Sequence, residues 1–243
     1  MFVKICGITN LGDALLSVAL GADAVGFVFA PSVRQVSREQ VKEIVKQLPS
    51  GVVTIGVFVN ERPESVVRTV HEIGLTGAQL HGSEGPGNVE YVSERVPIVL
   101  KGFSGSSIPV ARLAEYKVSA ILVDSESPGS GSGFDWTAIE GQSARIRIIL
   151  AGGLRPDNIE EAVRVVRPFG VDVSSGVEAK PGKKDPAKLR AFISKSREAL
   201  LLVHGADRNE DSGVDPFLQD LILRKSAILE RKLDGVFDWE EEL

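Results

Sequence analysis

Arg147-Ile148-Ile149-Leu150-Ala151-Gly152-Gly153-Leu154-Arg155-Pro156 passes from a short apolar run into a glycine pair and then to a proline. A near-continuous apolar run suits a strand buried on both faces, as in a parallel sheet covered by helices. The glycine pair lets backbone amides approach a ligand. Pro156 predicts a first helical turn, and Ile159, Ala162, Val163 and Val166 supply the apolar stripe that should follow it. One step further along, the run at 171–174 ends in Ser174-Ser175-Gly176, a second turn of the same character.

Outward from this stretch, the same strand-then-helix unit recurs through the chain. Strands are expected at 2–6, 24–29, 52–59, 77–81, 97–102, 119–124, 147–151 and 171–174. Between them, Leu11, Leu15, Val18 and Ala19 recur at helical spacing before Gly21. Ser37 and Gln40 form a capping-box pattern ahead of Val41, Ile44, Val45 and Leu48. Pro63 predicts another first turn, and Asp185-Pro186 opens a helix whose Leu189, Phe192 and Ile193 face inward. Residues 137–143 predict only a short helix. Eight such units in about 200 residues predict an α/β fold, a single (β/α)8 TIM barrel over 1–203. A doubly wound open sheet is the rival, but no G-x-G-x-x-G follows the first strand and no P-loop occurs. The glycine- and serine-rich turns instead cluster after strands six to eight, and barrel phosphate sites use the loops after strands seven and eight. Residues 204–243 stand outside the alternation. They read as a polar linker, then a helix from Asp215-Pro216 with Leu218, Leu221, Ile222, Ile228 and Leu229 broadly on one face, then an acidic end from Asp238 to Leu243.

The 243 residues include one cysteine, Cys6, which excludes an intrachain disulfide and a multi-cysteine zinc site. The three histidines (His71, His81, His204) are too scattered to predict a metal cluster. A net charge of −5 argues against broad nucleic-acid binding, yet leaves room for a small anion held by backbone amides. No run reaches membrane-spanning length, and no secretory leader is evident, so a reducing cytoplasmic location is expected.

Cys6 falls where the first strand hands over to a loop, the position at which parallel α/β enzymes carry their chemistry. A small buried hydrophobe is the alternative. Lys4 shares its strand face and either favours the thiolate or is a paired core charge. Asp124 ends an apolar strand, where partial burial would raise its pKa and suit it to donate a proton. The loop that follows weakens the alternative of a helix N-cap. Arg34, just ahead of a helix cap, suits a substrate carboxylate or is simply solvated. His81 suits a ligand contact or a structural hydrogen bond.

Taken together, Lys4-Ile5-Cys6-Gly7-Ile8-Thr9, Gly56-Val57-Phe58-Val59-Asn60, Gln79-Leu80-His81-Gly82, Val123-Asp124-Ser125, Phe134-Asp135-Trp136, Ala151-Gly152-Gly153-Leu154 and Val171-Asp172-Val173-Ser174-Ser175-Gly176-Val177-Glu178 closely resemble phosphoribosylanthranilate isomerases, in family order over residues 2 to about 200. The resemblance implies an Amadori rearrangement of N-(5′-phosphoribosyl)anthranilate, the third step from chorismate in tryptophan biosynthesis, with no metal or other cofactor. It implies Asp124 as general acid and Cys6 as general base. It places Arg34 at the anthranilate and Gln79, His81 and Asp172 around the sugar. The phosphate would rest on Gly152, Gly153, Ser174, Ser175 and Gly176. Two features depart from the family pattern. Pro128 replaces the first glycine of the loop before Phe134, with a short link back to Asp124. Residues 204–243 are usually lacking; their apolar stripe points to a homodimer or partner contact, a docked helix or disordered tail being the alternative. Set against this reading are a sugar-phosphate epimerase, which would usually need a metal or a carboxylate pair, and a barrel without activity serving as a scaffold.

Overall fold

The computed structural model describes residues 1–104, 113, 115–124 and 147–205. Eight parallel strands close into a barrel in chain order: β1 (Phe2–Ile5), β2 (Ala24–Val28), β3 (Val53–Phe58), β4 (Gly77–Leu80), β5 (Ile98–Ser104), β6 (Ala120–Asp124), β7 (Ile148–Ala151) and β8 (Gly170–Val173). Each expected strand is present. The described helices are α1 (Leu11–Ala19), α2 (Arg38–Val45), α3 (Pro63–Ile73), α4 (Pro86–Ser93), α5 (Ile159–Val166) and α6 (Pro186–His204), with a 3-10 turn at Ser175–Val177 and a small antiparallel hairpin of β9 (Glu178–Lys180) and β10 (Lys183–Lys184).

Alternation along each strand makes two cores. Phe2, Ala24, Val53, Ile55, Ile98, Leu100, Ala120, Leu122, Ile149 and Ala151 pack together inside the barrel. Val3, Ile5, Val25, Phe27, Val99, Leu150, Val171 and Val173 face outward and join the helix stripes, including Leu189, Phe192 and Ile193 of α6. The closure is made by β1 against β8, with Lys4 opposite Asp172.

Most of the helix signals hold, and those at Ser37 and Pro156 depart in part. Asn10, Ser37 and Asp185 each cap a helix through a side-chain oxygen, and Pro63 opens α3. The capping box at Ser37 is only half made: Gln40 gives its N–H to Ser37 but turns its amide to the Thr9 carbonyl, 2.6 Å away. Pro156 does not open a helix. It sits in a turn closed by Asn158 N–H to the Arg155 carbonyl and Arg155 N–H to Asn158 Oδ1, so α5 begins at Ile159. The last helix runs through His204, one residue beyond the expected barrel limit, and the ring contacts the Pro168 carbonyl. The expected helix at 137–143, the Pro128 loop with Phe134-Asp135-Trp136, and the linker, amphipathic helix and acidic end beyond Gly205 lie outside the described residues. No described helix is long and apolar enough to cross a membrane.

Candidate active site

The inward side chains at the C-terminal ends of the strands surround a cavity of about 390 Å³. Strand periodicity decides which residues reach it: Cys6 after β1, Val28, Val57, Gln79 and His81, Leu122 and Asp124, Ala151 and Gly153, Asp172 and Ser174. Ser175, Gly176 and Gly152 complete the rim at β7 and β8. The volume lies within the usual range for small-molecule sites. Ten of the eleven residues predicted for the site therefore share one cavity. Arg34 is the exception.

Cys6 is 8% exposed and continues the β1–β8 ladder by giving its N–H to the Val173 carbonyl. Its Sγ occupies space that Gly26 leaves: a Cβ there would lie 2.9 Å from the sulfur. Lys4 is wholly buried one layer below and donates to Asp172 Oδ1 at 3.0 Å. Both sequence alternatives for Lys4 thus hold in part, since it is a paired core charge that also acts on the thiol. Burial pushes the Cys6 thiol up; Lys4 and Lys184 pull it down, Asp172 pushes up again, and the net direction is upward. The lysine field moderates the thiol without making it a standing thiolate.

Across the barrel mouth, Asp124 ends β6 with its side chain 41% exposed, the partial burial expected at the end of its apolar strand. His81 Nε2 lies 3.6 Å from Asp124 Oδ2. Gln79 Nε2 contacts His81 Nδ1 at 2.8 Å; with the amide as donor, the neutral ring carries its proton on Nε2, towards Asp124. Among the described residues Gln79 Oε1, buried at the cavity, has no hydrogen-bond partner, and a buried acceptor of this kind calls for a donor. The ring is seated by Gly102, where any Cβ would collide with His81 Nδ1. Behind it, buried Lys101 donates to the carbonyls of Leu80, Gly82 and Gly102 and to Glu84 Oε2, while Glu84 accepts from the N–H groups of Asn60 and Gly82. Burial pushes the Glu84 carboxyl up, but the Asn60 N–H and Lys101 outweigh it and hold it below the ordinary value.

Gly152 and Gly153 both lie in the left-handed region, at φ +82° and +58°, which a side chain would disfavour. Asn158 Nδ2 ties the loop down through the Gly153 carbonyl at 2.9 Å. On the neighbouring strand, Ser175 and Gly176 begin the 3-10 turn, where N–H groups have no partner within the turn. A Cβ at Gly176 would collide with the Leu154 carbonyl, so glycine there lets the two loops touch. The result is a polar backbone cradle suited to an anion.

Arg34 instead lies beside the loop after β1, where a Cβ on Gly7 would meet its Cδ at 2.5 Å and Ser174 Oγ at 2.7 Å. Its Nε and Nη2 form a bidentate pair with Glu178, at 2.7 and 2.8 Å. Glu178 also accepts from Lys184. The sequence reading gave no role to Glu178, Lys184, Glu84 or Lys101. Lys101 carried a signal, a lysine inside the apolar run 97–102; the others depend on partners far away in the sequence, such as Arg34 for Glu178 and Cys6 for Lys184, that no local pattern displays.

Comparison with known proteins agrees with this geometry. A family model described as N-(5′phosphoribosyl)anthranilate (PRA) isomerase matches residues 3–195. The N-(5′-phosphoribosyl)anthranilate isomerase of Pelobacter propionicus is 50% identical over 201 residues, covering 81% of this chain and 95% of its own. The crystal structure of phosphoribosyl anthranilate isomerase from Thermotoga maritima superposes with a TM-score of 0.74 at 46% identity, covering 82% of this chain and 99% of that one. A further isomerase structure, in complex with reduced 1-(o-carboxyphenylamino)-1-deoxyribulose 5-phosphate, gives 0.73 at 44% identity with the same coverage. With a closed barrel, a shared strand-end cavity and relatives matched over nearly their full length, the chain belongs to the N-(5′-phosphoribosyl)anthranilate isomerase family.

Proposed function

We infer that the chain catalyses the isomerisation of N-(5′-phosphoribosyl)anthranilate in tryptophan biosynthesis. The observation that carries this is the convergence of Cys6, Asp124 and the Gly152–Gly153 and Ser174–Gly176 loops on one cavity. A phosphorylated sugar needs an anion cradle at one end and, for an aldose–ketose rearrangement, an acid and a base at the other.

In the proposed mechanism Asp124 protonates the ring oxygen of the ribose, and the ring opens to a Schiff base. Cys6 as thiolate removes the proton from the second carbon, giving an enolamine that tautomerises to the aminoketone. Each proton transfer by a positioned group contributes roughly 10²–10⁴-fold. His81, with its ring proton towards Asp124, orients that carboxyl group. Gln79 Oε1 accepts from a sugar hydroxyl, and Asp172, held by Lys4, faces the sugar from β8. The phosphate lies on the backbone of Gly152, Gly153, Ser174, Ser175 and Gly176. Arg34, anchored by Glu178, offers Nη1 to the anthranilate carboxylate. A cytoplasmic setting keeps Cys6 reduced. Residues 206–243 are assigned to self-association or a partner contact, the use an unmatched apolar stripe serves best.

Consumption of phosphoribosylanthranilate, followed by its fluorescence, tests the reading. Wild-type protein turns it over, while Cys6→Ala and Asp124→Asn each lose about 10²–10⁴-fold in kcat. Wild-type rates in either variant overturn the assigned roles, and no turnover by the wild type overturns the activity.

A further inference from the structure

The hairpin of β9 and β10 is a minor element by size, yet it places one side chain at the closure of the barrel. Lys184 is 1% exposed, and its Nζ donates to the Cys6 carbonyl at 2.6 Å, the Ser174 carbonyl at 3.0 Å and Glu178 Oε1 at 3.2 Å. An ammonium has three protons, and here each has an acceptor. Two of those acceptors belong to the loops after β1 and β8, one carrying the thiol and the other beginning the anion cradle. The hairpin is itself tied to the first strand–helix unit, by Lys184 N–H to Asp13 Oδ2 in α1 at 2.8 Å and by Thr9 Oγ1, in the loop before that helix, to the Gly182 carbonyl. The third acceptor, Glu178, also grips Arg34.

We propose that Lys184 is a positioning residue for the isomerase reaction: one buried cation clamps the Cys6 loop to the phosphate loop, supplies positive charge to the thiolate, and through Glu178 fixes Arg34. The proposal rests on the isomerase reading for its catalytic meaning. The clamp gives a buried lysine a use at a position where an apolar residue would incur no desolvation cost. It also explains how the base and the anion cradle, on segments 168 residues apart from Cys6 to Ser174, hold a fixed spacing. The charged groups facing Cys6 are Lys4 below it on β1, Asp172 on β8, Lys184 on β10 and Arg34 from the loop after β2. Glu178 neutralises the last two of these.

Cys6 is the only cysteine in the chain, so the pH dependence of iodoacetamide alkylation reports on this thiol alone and needs no turnover. Lys184→Met removes the charge and the clamp. Its alkylation midpoint is expected to rise by about one pH unit, with about a tenfold lower kcat/KM at pH 7 and a higher KM. Glu178→Gln keeps the cation and removes its counter-charge, so its midpoint is expected to fall. Opposite shifts identify the charge of Lys184 as the agent, whereas a purely structural role would not give shifts of opposite sign. An unchanged midpoint in either folded variant, or shifts of the same sign, overturns the proposal. Should Lys184→Met fail to fold, the direction of the Glu178→Gln shift decides alone. Failure of wild-type turnover would sink the isomerase reading and leave the thiol titration intact.

Discussion

Cys6 meets two demands that oppose each other. A base buried to 8% exposure is shielded from solvent and from competing proton sources, but burial drives it towards the neutral thiol. Lys4 and Lys184 recover part of that cost. Because the net direction is upward, the thiolate is a minor form at neutral pH. The acid limb of kcat/KM against pH is therefore expected to be the Cys6 ionisation, with activity rising as pH passes from neutral into the alkaline range. Cys6→Ser, whose hydroxyl ionises far less readily, should lose both the limb and about 10²-fold or more of the rate, while melting like the wild type. A profile that is flat above pH 7 would remove Cys6 from the base role. At the opposite wall, Gln79 divides its amide: the nitrogen contacts His81, and the buried oxygen has no hydrogen-bond partner among the described residues, which suits it to accept from a sugar hydroxyl.

At the scale of elements, the site is held by loops pinned from behind. Lys101 gathers three carbonyls and a carboxylate around the β4 and β5 ends, so His81 stands on a fixed base. Lys101→Met would leave Glu84 as a buried carboxylate without its cation, at a cost of about 3 kcal/mol or more, read as a lower midpoint in urea unfolding. Gly102→Ala tests the seat itself. An added Cβ meets the imidazole, and a displacement of about 1 Å in such a group can cost about 10²-fold, so kcat/KM should fall sharply with little change in stability. These supports were hidden in the sequence for a physical reason. The strands were legible because burial on both faces writes continuous apolar runs, and Asp124, Cys6 and the glycine loops were legible because they end those runs. Lys184 and Glu178 sit in a polar segment that reads as surface, and their partners lie far away: Arg34 is 144 residues from Glu178, and Cys6 is 178 from Lys184. Pro156 misled because a local Asx contact, Arg155 N–H to Asn158 Oδ1, outcompeted the first helical turn that proline permits.

For the whole molecule, the buried carboxylates set the acid limit. The folded state holds Glu84 and Glu178 below their ordinary 4.5, in each case because N–H donors and cations outweigh burial. A depressed carboxyl group adds stability that is in place above its unfolded pKa and is lost as pH falls through the folded one. The thermal midpoint should therefore hold down to about pH 5 and decline below 4.5, and Glu178→Gln should flatten that decline. The other limit concerns length. Relatives matched over 95–99% of their own chains cover only 81–82% of this one, and the eight strands and α6 are complete by Gly205. Seven residues of α6, from Leu189 to Val203, are buried against the barrel, whereas Leu201 and Leu202 are 49% and 79% exposed at its end. A chain ending at Gly205 is therefore expected to fold and to keep kcat/KM within about twofold, since every residue assigned to binding or proton transfer precedes it. If residues 206–243 serve association, sedimentation should show the shortened chain at a lower mass than the full chain at equal concentration. A shortened chain that folds but loses turnover would instead place part of the site in the extension, and the barrel could no longer be regarded as the whole catalytic unit.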